Sequence, residues 1–235
     1  VYKRQELDLA LPAIPWHVAR DGVAEFGCWC GLLAGALAKP ATDVMLLMQS
    51  EVGEASEPAA PGKGGSSTMP QKRNPIGCEY VIVQARGAQA LVPQLLGAMV
   101  HEHERGAGAM QLEQLALGQL LLLAHGALAT LIPIAEGLVV DATRMRRNLE
   151  AGGGLIMSEA VMMGLAPVLG RGTAHEVVHH ACEVALAEGI DLRAALARDP
   201  RVNAILDAVG VARLTDPAGY LGAADAAIDA VLARL

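Results

Sequence analysis

GKGGSSTMPQKRNP, residues 62–75, interrupts a chain of 235 residues that is otherwise 53% hydrophobic. It holds three glycines, the adjacent Ser66 and Ser67, three cations and two prolines. The flanking segments carry helical patterns, at 16–39, continuing past Pro40 to about 52, and at 76–99. Pro15 and Pro40 suit first-turn positions of helices. Residues 53–75 have no period and read as a long loop. Loops longer than ~12–15 residues are usually functional or disordered.

The loop's chemistry leaves two readings open. One is a flexible Gly/Ser connector with incidental polar groups. The other is a site: hydroxyls as proton carriers, with Lys72 and Asn74 to hold an oxyanion, and glycine-freed N–H groups that bind anions. A serine acts as a base only where positive charge and N–H dipoles pull its pKa far down and water is excluded. The order of residues is not GxxxxGK[ST], so this is no nucleotide phosphate loop.

Composition bounds the fold. Ala and Leu dominate and aromatics are 3%, which favours helix over strand. Helical patterns recur at 109–139 and at 141–150, the latter with Asp141 as N-cap. Gly152–Gly154 mark a break, followed by shorter helices at about 157–169, 172–188, 191–198, 201–208 and 217–234. The expected class is all-α, a long-helix bundle over 1–140 containing the loop, then a small helical domain over 141–235. No apolar stretch reads as long enough to span a membrane: 115–140, the longest, is interrupted by Gln119, His125, Pro133 and Glu136. Helices apolar on several faces imply subunit contacts.

A net charge of −7 excludes a nucleic-acid footprint. Cys28, Cys30, Cys78 and Cys182 lack metal or disulfide-framework spacing, which points to a reducing, cytoplasmic setting. HEVVH (175–179) matches a zinc-protease pattern in order, but with no third ligand apparent no metal is expected. His17, His101 and His103 read as structural.

GSSTMPQKRNP resembles the signature loop of the fumarase/aspartase superfamily, G-S-S-x-M-P-x-K-x-N. Gly65, Ser66, Ser67, Met69, Pro70, Lys72 and Asn74 fill its fixed positions. PWHVARD (15–21), LMQSEVGE (47–54), HER (103–105), MRRNL (145–149), GLIMSEAVM (154–162), GRGTAH (170–175) and DPAGYLG (216–222) are similar to the branch containing 3-carboxy-cis,cis-muconate cycloisomerase and adenylosuccinate lyase.

The resemblance implies a homotetramer with active sites shared between subunits, acting on a small polycarboxylate without cofactor. It also implies that an N-terminal domain and the start of the helical core lie upstream of Val1, so that these 235 residues alone would be inactive. By the same resemblance Ser66 is the base, Ser67 helps bind substrate or shapes the loop, and Thr68 and Met69 bind substrate beside it. Lys72, Asn74 and Arg105 would bind substrate carboxylates. Glu79 is either a partner in proton transfer or an ordinary carboxylate at a helix start. Arg20 either lines the site or forms a structural ion pair. After HER, the purine-cleaving branch carries a serine and an arginine where this chain has Met110 and Gln114. Without that cation a substrate phosphate loses a charge-assisted bond of ~1.5–3 kcal/mol, which favours the cycloisomerase side.

Overall fold

The computed structural model describes residues 5–10, 14, 17–59, 64–65 and 68–234. Ser66 and Ser67 lie outside these residues, as do Pro15 and most of the 12–15 turn. The chain forms two compact units, Val1–Asp141 and Ala142–Leu235.

The first unit is built on three long helices, α1 (Asp21–Leu47), α2 (Ile76–Gly97) and α3 (Ala109–Glu136). Small residues let them approach closely. A methyl group added at Gly27 would fall 2.3 Å from Leu95, and one at Gly31 would fall 2.6 Å from Val92. Gly35 in turn faces Gln89, so α1 and α2 run antiparallel. Gly77 faces Ile134 and Gly87 faces Leu123, so α2 and α3 do likewise. Between the helices lie Ala34, Ala41, Cys78, Val81, Ala85, Ala88, Ala116, Leu120 and Ala127, all fully buried. The larger apolar side chains Trp29, Leu32, Val83, Leu115 and Leu122 stand outside, more than half exposed.

Two expectations fail here. Pro40 is not in a first turn but inside an unbroken α1. A proline in a helix interior costs about 3 kcal/mol through one lost bond and a ring clash; burial of the neighbouring Ala34, Ala41 and Val44 offsets it. The expectation that no segment has the length and apolarity of a membrane span also fails: α1 and α3 both have them. Gln119, His125 and Pro133 do not break the run, and residues 114–135 contain no Asp, Glu, Lys or Arg. Their inward faces are alanine and glycine seams packed on neighbouring helices.

Two short strands, β1 (Ala55–Ser56) and β2 (Val139–Val140), pair antiparallel. They tie the exit of α1 to the exit of α3, reinforced by the Asp141 N–H donating to the Glu54 carbonyl at 2.9 Å. The rest of the described chain is helical or loop, as the all-α expectation requires.

The second unit contains α4 (Ala142–Glu150), a 3₁₀ turn (Leu155–Met157), α5 (Ser158–Leu169), α6 (Arg171–Glu188), α7 (Leu192–Leu196), α8 (Pro200–Asn203), α9 (Ala208–Leu214), a second 3₁₀ turn (Pro217–Gly219) and α10 (Ala224–Leu232). Gly153 and Gly154 both adopt positive φ, 63° and 75°, which turns the chain between α4 and α5. Val161, Leu165, Val177, Leu192, Leu196 and Val202 form the core.

Aspartates set the helix starts. Asp191, Asp199, Asp207 and Asp216 each accept an N–H from two or three residues ahead, at 2.6–3.1 Å. The helix expected at 201–208 therefore divides, because Asp207 caps the start of α9. The segment expected as a helix over 217–234 divides likewise, a 3₁₀ turn after Asp216 and then α10.

Asp199 is buried, caps α8 and also receives the Arg201 guanidinium at 2.6 Å. Asp199→Ala should cost about 1–2 kcal/mol at neutral pH, read from urea melts. The Arg201 hydrogen bond holds the Asp199 carboxyl below its ordinary 3.8. The contribution is thus complete above the unfolded pKa and fades as pH falls through the lower folded value. The gap between wild type and variant should stay open at neutral pH and close only below pH 3.8.

Candidate active site

At one end of the first unit the chain leaves β1, passes through the loop and enters α2. Gly65 and Arg73 form an antiparallel bridge, and the Asn74 N–H donates to the Gly64 carbonyl at 2.8 Å. Gly64 has a φ of 68°, and a side chain there would meet the Asn74 carbonyl at 2.6 Å, so this crossing requires glycine. Within it, the Lys72 N–H donates to the Met69 carbonyl at 3.0 Å, closing a turn that also contains Pro70. Thr68 precedes this turn. Lys72 and Met69 are exposed, Asn74 is half-buried, and Glu79 sits exposed in the first turn of α2. Ser66 and Ser67, the expected base and its neighbour, lie outside the described residues.

The opposite end carries the two arginines. Arg20 meets the buried Glu113 side chain with both arms of its guanidinium, Nε to Oε2 at 2.7 Å and Nη2 to Oε1 at 2.5 Å. That hydrogen bond raises the Arg20 pKa further, fixing its charge. Arg105 Nη2 lies 2.9 Å from His17 Nε2. The guanidinium can only donate, so in this contact His17 Nε2 is the acceptor. Before α3, Glu102 accepts the Ala107 N–H at 2.8 Å and His103 takes a positive φ of 46°. Arg105 is exposed on this shaped turn, open to an anion.

The chain does not bring its candidate residues to one place. Lys72, Asn74 and Glu79 stand at the start of α2, while Arg20 and Arg105 stand beyond its far end. The 22 residues of α2 span about 33 Å. Sequence reading missed three participants: Glu57, Arg73 and Glu113. Glu113 had a signal, a lone carboxylate near the start of an apolar helix. Glu57 had none, since its partners are backbone N–H groups twenty or more residues away.

In the second unit, Arg146, Gly153, Gly154, Arg193 and Thr215 line a cavity of about 310 Å³. Arg146 is bound to Glu150 and Asp216, and Arg193 to Thr215, so the recess is an ion-paired seam. His175 and His179 lie edge to face with ring centroids 6.0 Å apart. Among the described residues no group of three or more His, Cys, Asp or Glu could hold a metal ion.

The class defined by this arrangement is an almost wholly helical protein whose three-helix bundle is entered at α2 through a stem closed by Gly64, Gly65, Arg73 and Asn74. Residues 5–89 match the family profile described as "Lyase", and residues 154–231 match "Adenylosuccinate lyase C-terminus". A 3-carboxy-cis,cis-muconate cycloisomerase of Pseudomonas aeruginosa is 48% identical over 98% of this chain and 50% of its own length. A nitrosuccinate lyase of Streptomyces davaonensis is 43% identical over 95% and 47%. The crystal structure of a 3-carboxy-cis,cis-muconate lactonizing enzyme from Pseudomonas putida superposes with a TM-score of 0.87 at 48% identity, over 94% of this chain and 49% of that one. This chain belongs to the fumarase/aspartase superfamily. It spans about half the length of the curated relatives it matches.

The Arg20–Glu113 pair gives a direct test of burial. Arg20→Leu leaves the Glu113 carboxylate, on a residue 7% exposed, without its counter-charge, and should cost about 3 kcal/mol in urea unfolding. The double variant Arg20→Leu/Glu113→Leu should recover a large part of that loss, because removing both charges also removes the desolvation penalty.

Proposed function

We propose that the protein carrying this chain is an enzyme like 3-carboxy-cis,cis-muconate cycloisomerase, interconverting an unsaturated polycarboxylate and its lactone. The observation that carries this reading is the full set of signature residues, Gly65 to Asn74, within a chain so similar along its length to proteins of that name. In the closing direction a carboxylate oxygen adds to a carbon–carbon double bond and the neighbouring carbon gains a proton. In the opening direction that proton leaves and the C–O bond breaks.

Ser66 holds and returns the proton. The carbon acid is weak, so the carboxylate beside it must be stabilised as charge accumulates on its oxygens, and Lys72 with Asn74 supplies that stabilisation. Ser67, Thr68 and Met69 shape the loop around substrate. Glu79 adjusts proton transfer from the start of α2, and Arg105 takes a second carboxylate. Arg20 fixes the turn on which that end of the site is built. The reaction is intramolecular and balanced without electron transfer, so it calls for no cofactor.

A homotetramer with shared sites belongs to the same proposal. Its support is the separation of about 33 Å between the loop end and the arginine end of one bundle, too far for one small substrate to touch both. The exposed Trp29, Leu32, Leu115 and Leu122 supply apolar faces on which further subunits would pack. The cytoplasm is the setting proposed, consistent with cysteines that are all free thiols.

A second reading is a lyase that expels a group from a succinyl-type substrate and releases fumarate. Its support is the similarity to nitrosuccinate lyase, only a few per cent lower in identity. Ultraviolet assays against 3-carboxymuconate, adenylosuccinate and argininosuccinate separate these readings. Turnover of none would leave a helical assembly protein without this chemistry.

For a parent protein that turns over 3-carboxymuconate, Ser66→Ala should lower kcat by at least about 10²-fold while leaving the subunit assembly and thermal midpoint unchanged. Activity within about tenfold of the parent would remove Ser66 from the role of base.

A further inference from the structure

Glu57 is the first residue after β1, and four contacts converge on it. Its carboxylate accepts the Gly77 N–H at 3.2 Å and the Cys78 N–H at 2.6 Å, capping α2 from a distance of twenty residues in sequence. Its main-chain carbonyl accepts from Arg73 Nη2 at 3.1 Å. Its own N–H is 3.4 Å from the Met48 sulfur, and the preceding Ser56 pairs with Val139. The anchor is thus a strand end fixed on both sides. The approach of the carboxylate needs glycine at 77: a methyl group there would lie 3.1 Å from both Glu57 oxygens and 2.7 Å from Ile134.

Arg73 is bridged to Gly65, and its two neighbours are fixed in the same stem, the Asn74 N–H on the Gly64 carbonyl and the Lys72 N–H on the Met69 carbonyl. From this stem the Arg73 guanidinium reaches Glu57. From this geometry we propose that Glu57 is a positioning residue: acting through Arg73 and through the start of α2, it fixes the stem on which Lys72 and Asn74 present their cation and amide. The inference rests on the reading of Lys72 and Asn74 as carboxylate-binding groups. Arg73 bonds the main-chain carbonyl of residue 57, so the carboxylate acts on the stem by holding this strand end against the start of α2, where the stem is tied to it.

Two arms test it, one of them independent of substrate. In the first, residue-resolved amide exchange compares the parent with Glu57→Ala. Exchange should quicken at Gly77 and Cys78 and also, by about tenfold or more, at Asn74, whose N–H closes the stem on Gly64. Faster exchange at Gly77 and Cys78 with Asn74 unchanged would make Glu57 a helix cap only and overturn the proposal. In the second arm, kinetics run well below the melting temperature of each variant. Glu57→Ala should raise KM and lower kcat/KM about 10²-fold, the cost of a small misplacement of binding groups, and Glu57→Gln should recover part of it through its remaining acceptor oxygen. KM and kcat both within about twofold of the parent would overturn it as well.

If Glu57→Ala fails to fold, Arg73→Met decides in its place, because it spares the cap on α2 while cutting the tie to the stem. It should quicken Asn74 exchange and raise KM, and unchanged values of both would refute the proposal. A parent that turns over none of the candidate substrates would defeat the function proposed above, while amide exchange at Asn74 would still decide whether Glu57 holds the stem.

Discussion

The close approach of three antiparallel helices through glycine and alanine is the constraint on which the first unit depends. Gly27 against the buried Leu95, and Gly31 against the half-buried Val92, leave no room for a side chain unless that neighbour moves. Such seams bring backbones together and bury little apolar area per residue. The long side chains that would ordinarily fill a core stand on the outside instead. Leu32, Leu115 and Leu122 are each more than half exposed. A single bundle of this kind leaves most of its hydrophobic stabilisation unclaimed, and burial against further subunits is where the remainder would be gained. The same property gives α1 and α3 the length and apolarity of membrane spans.

Rigid helices also fix distances. The two ends of the bundle carry different chemistry, and α2 holds them apart as a strut. At one end a buried ion pair, Arg20 with Glu113, ties the chain before α1 to the first turns of α3; at the other, Glu57 joins the end of β1 to the start of α2 and to Arg73. Both are carboxylates set against the start of an apolar helix, but they act differently. Glu113 accepts a guanidinium in a fork, a contact that breaks at a high cost. Glu57 accepts backbone N–H groups and so couples a loop to a helix start. Positioning by rigid elements of this kind suits a reaction whose barrier is lowered by fixed charge more than by motion.

Helix existence was legible in the sequence wherever the apolar period was long, and 76–99 and 109–139 differ from α2 and α3 by no more than three residues at either end. Local chemistry decided the errors. Pro40 carried a strong stop signal that tertiary packing overrode. Asp207 looked like one more polar residue in a helical run, although an aspartate followed by small residues and a glycine is also a cap. The loop was legible because its residue types are unusual in an apolar chain, and its resemblance to a known signature gave those residues roles. Glu57 and Arg73 were not legible, since their significance lies in a fold-dependent meeting of β1, the stem and α2. Neither was the distance between Arg105 and Lys72, which depends on helix direction rather than on sequence spacing.

Cys78 shows how this end of the bundle selects its chemistry. A cysteine in the first turn of a helix is ordinarily activated, because the dipole and unpaired N–H groups favour the thiolate. Here burial, followed by the hydrogen bond and negative charge of Glu57, pushes the thiol up to about 12. The Gly77 and Cys78 N–H groups that would have stabilised a thiolate are already given to the Glu57 carboxylate. The side chain is fully buried and stays protonated through neutral pH, so it can neither take a proton from a substrate nor attack one. The one thiol beside the loop is thereby silenced by the same carboxylate that anchors the stem. A reaction that moves a proton at this end of the bundle, as proposed, therefore has to use a group other than this thiol.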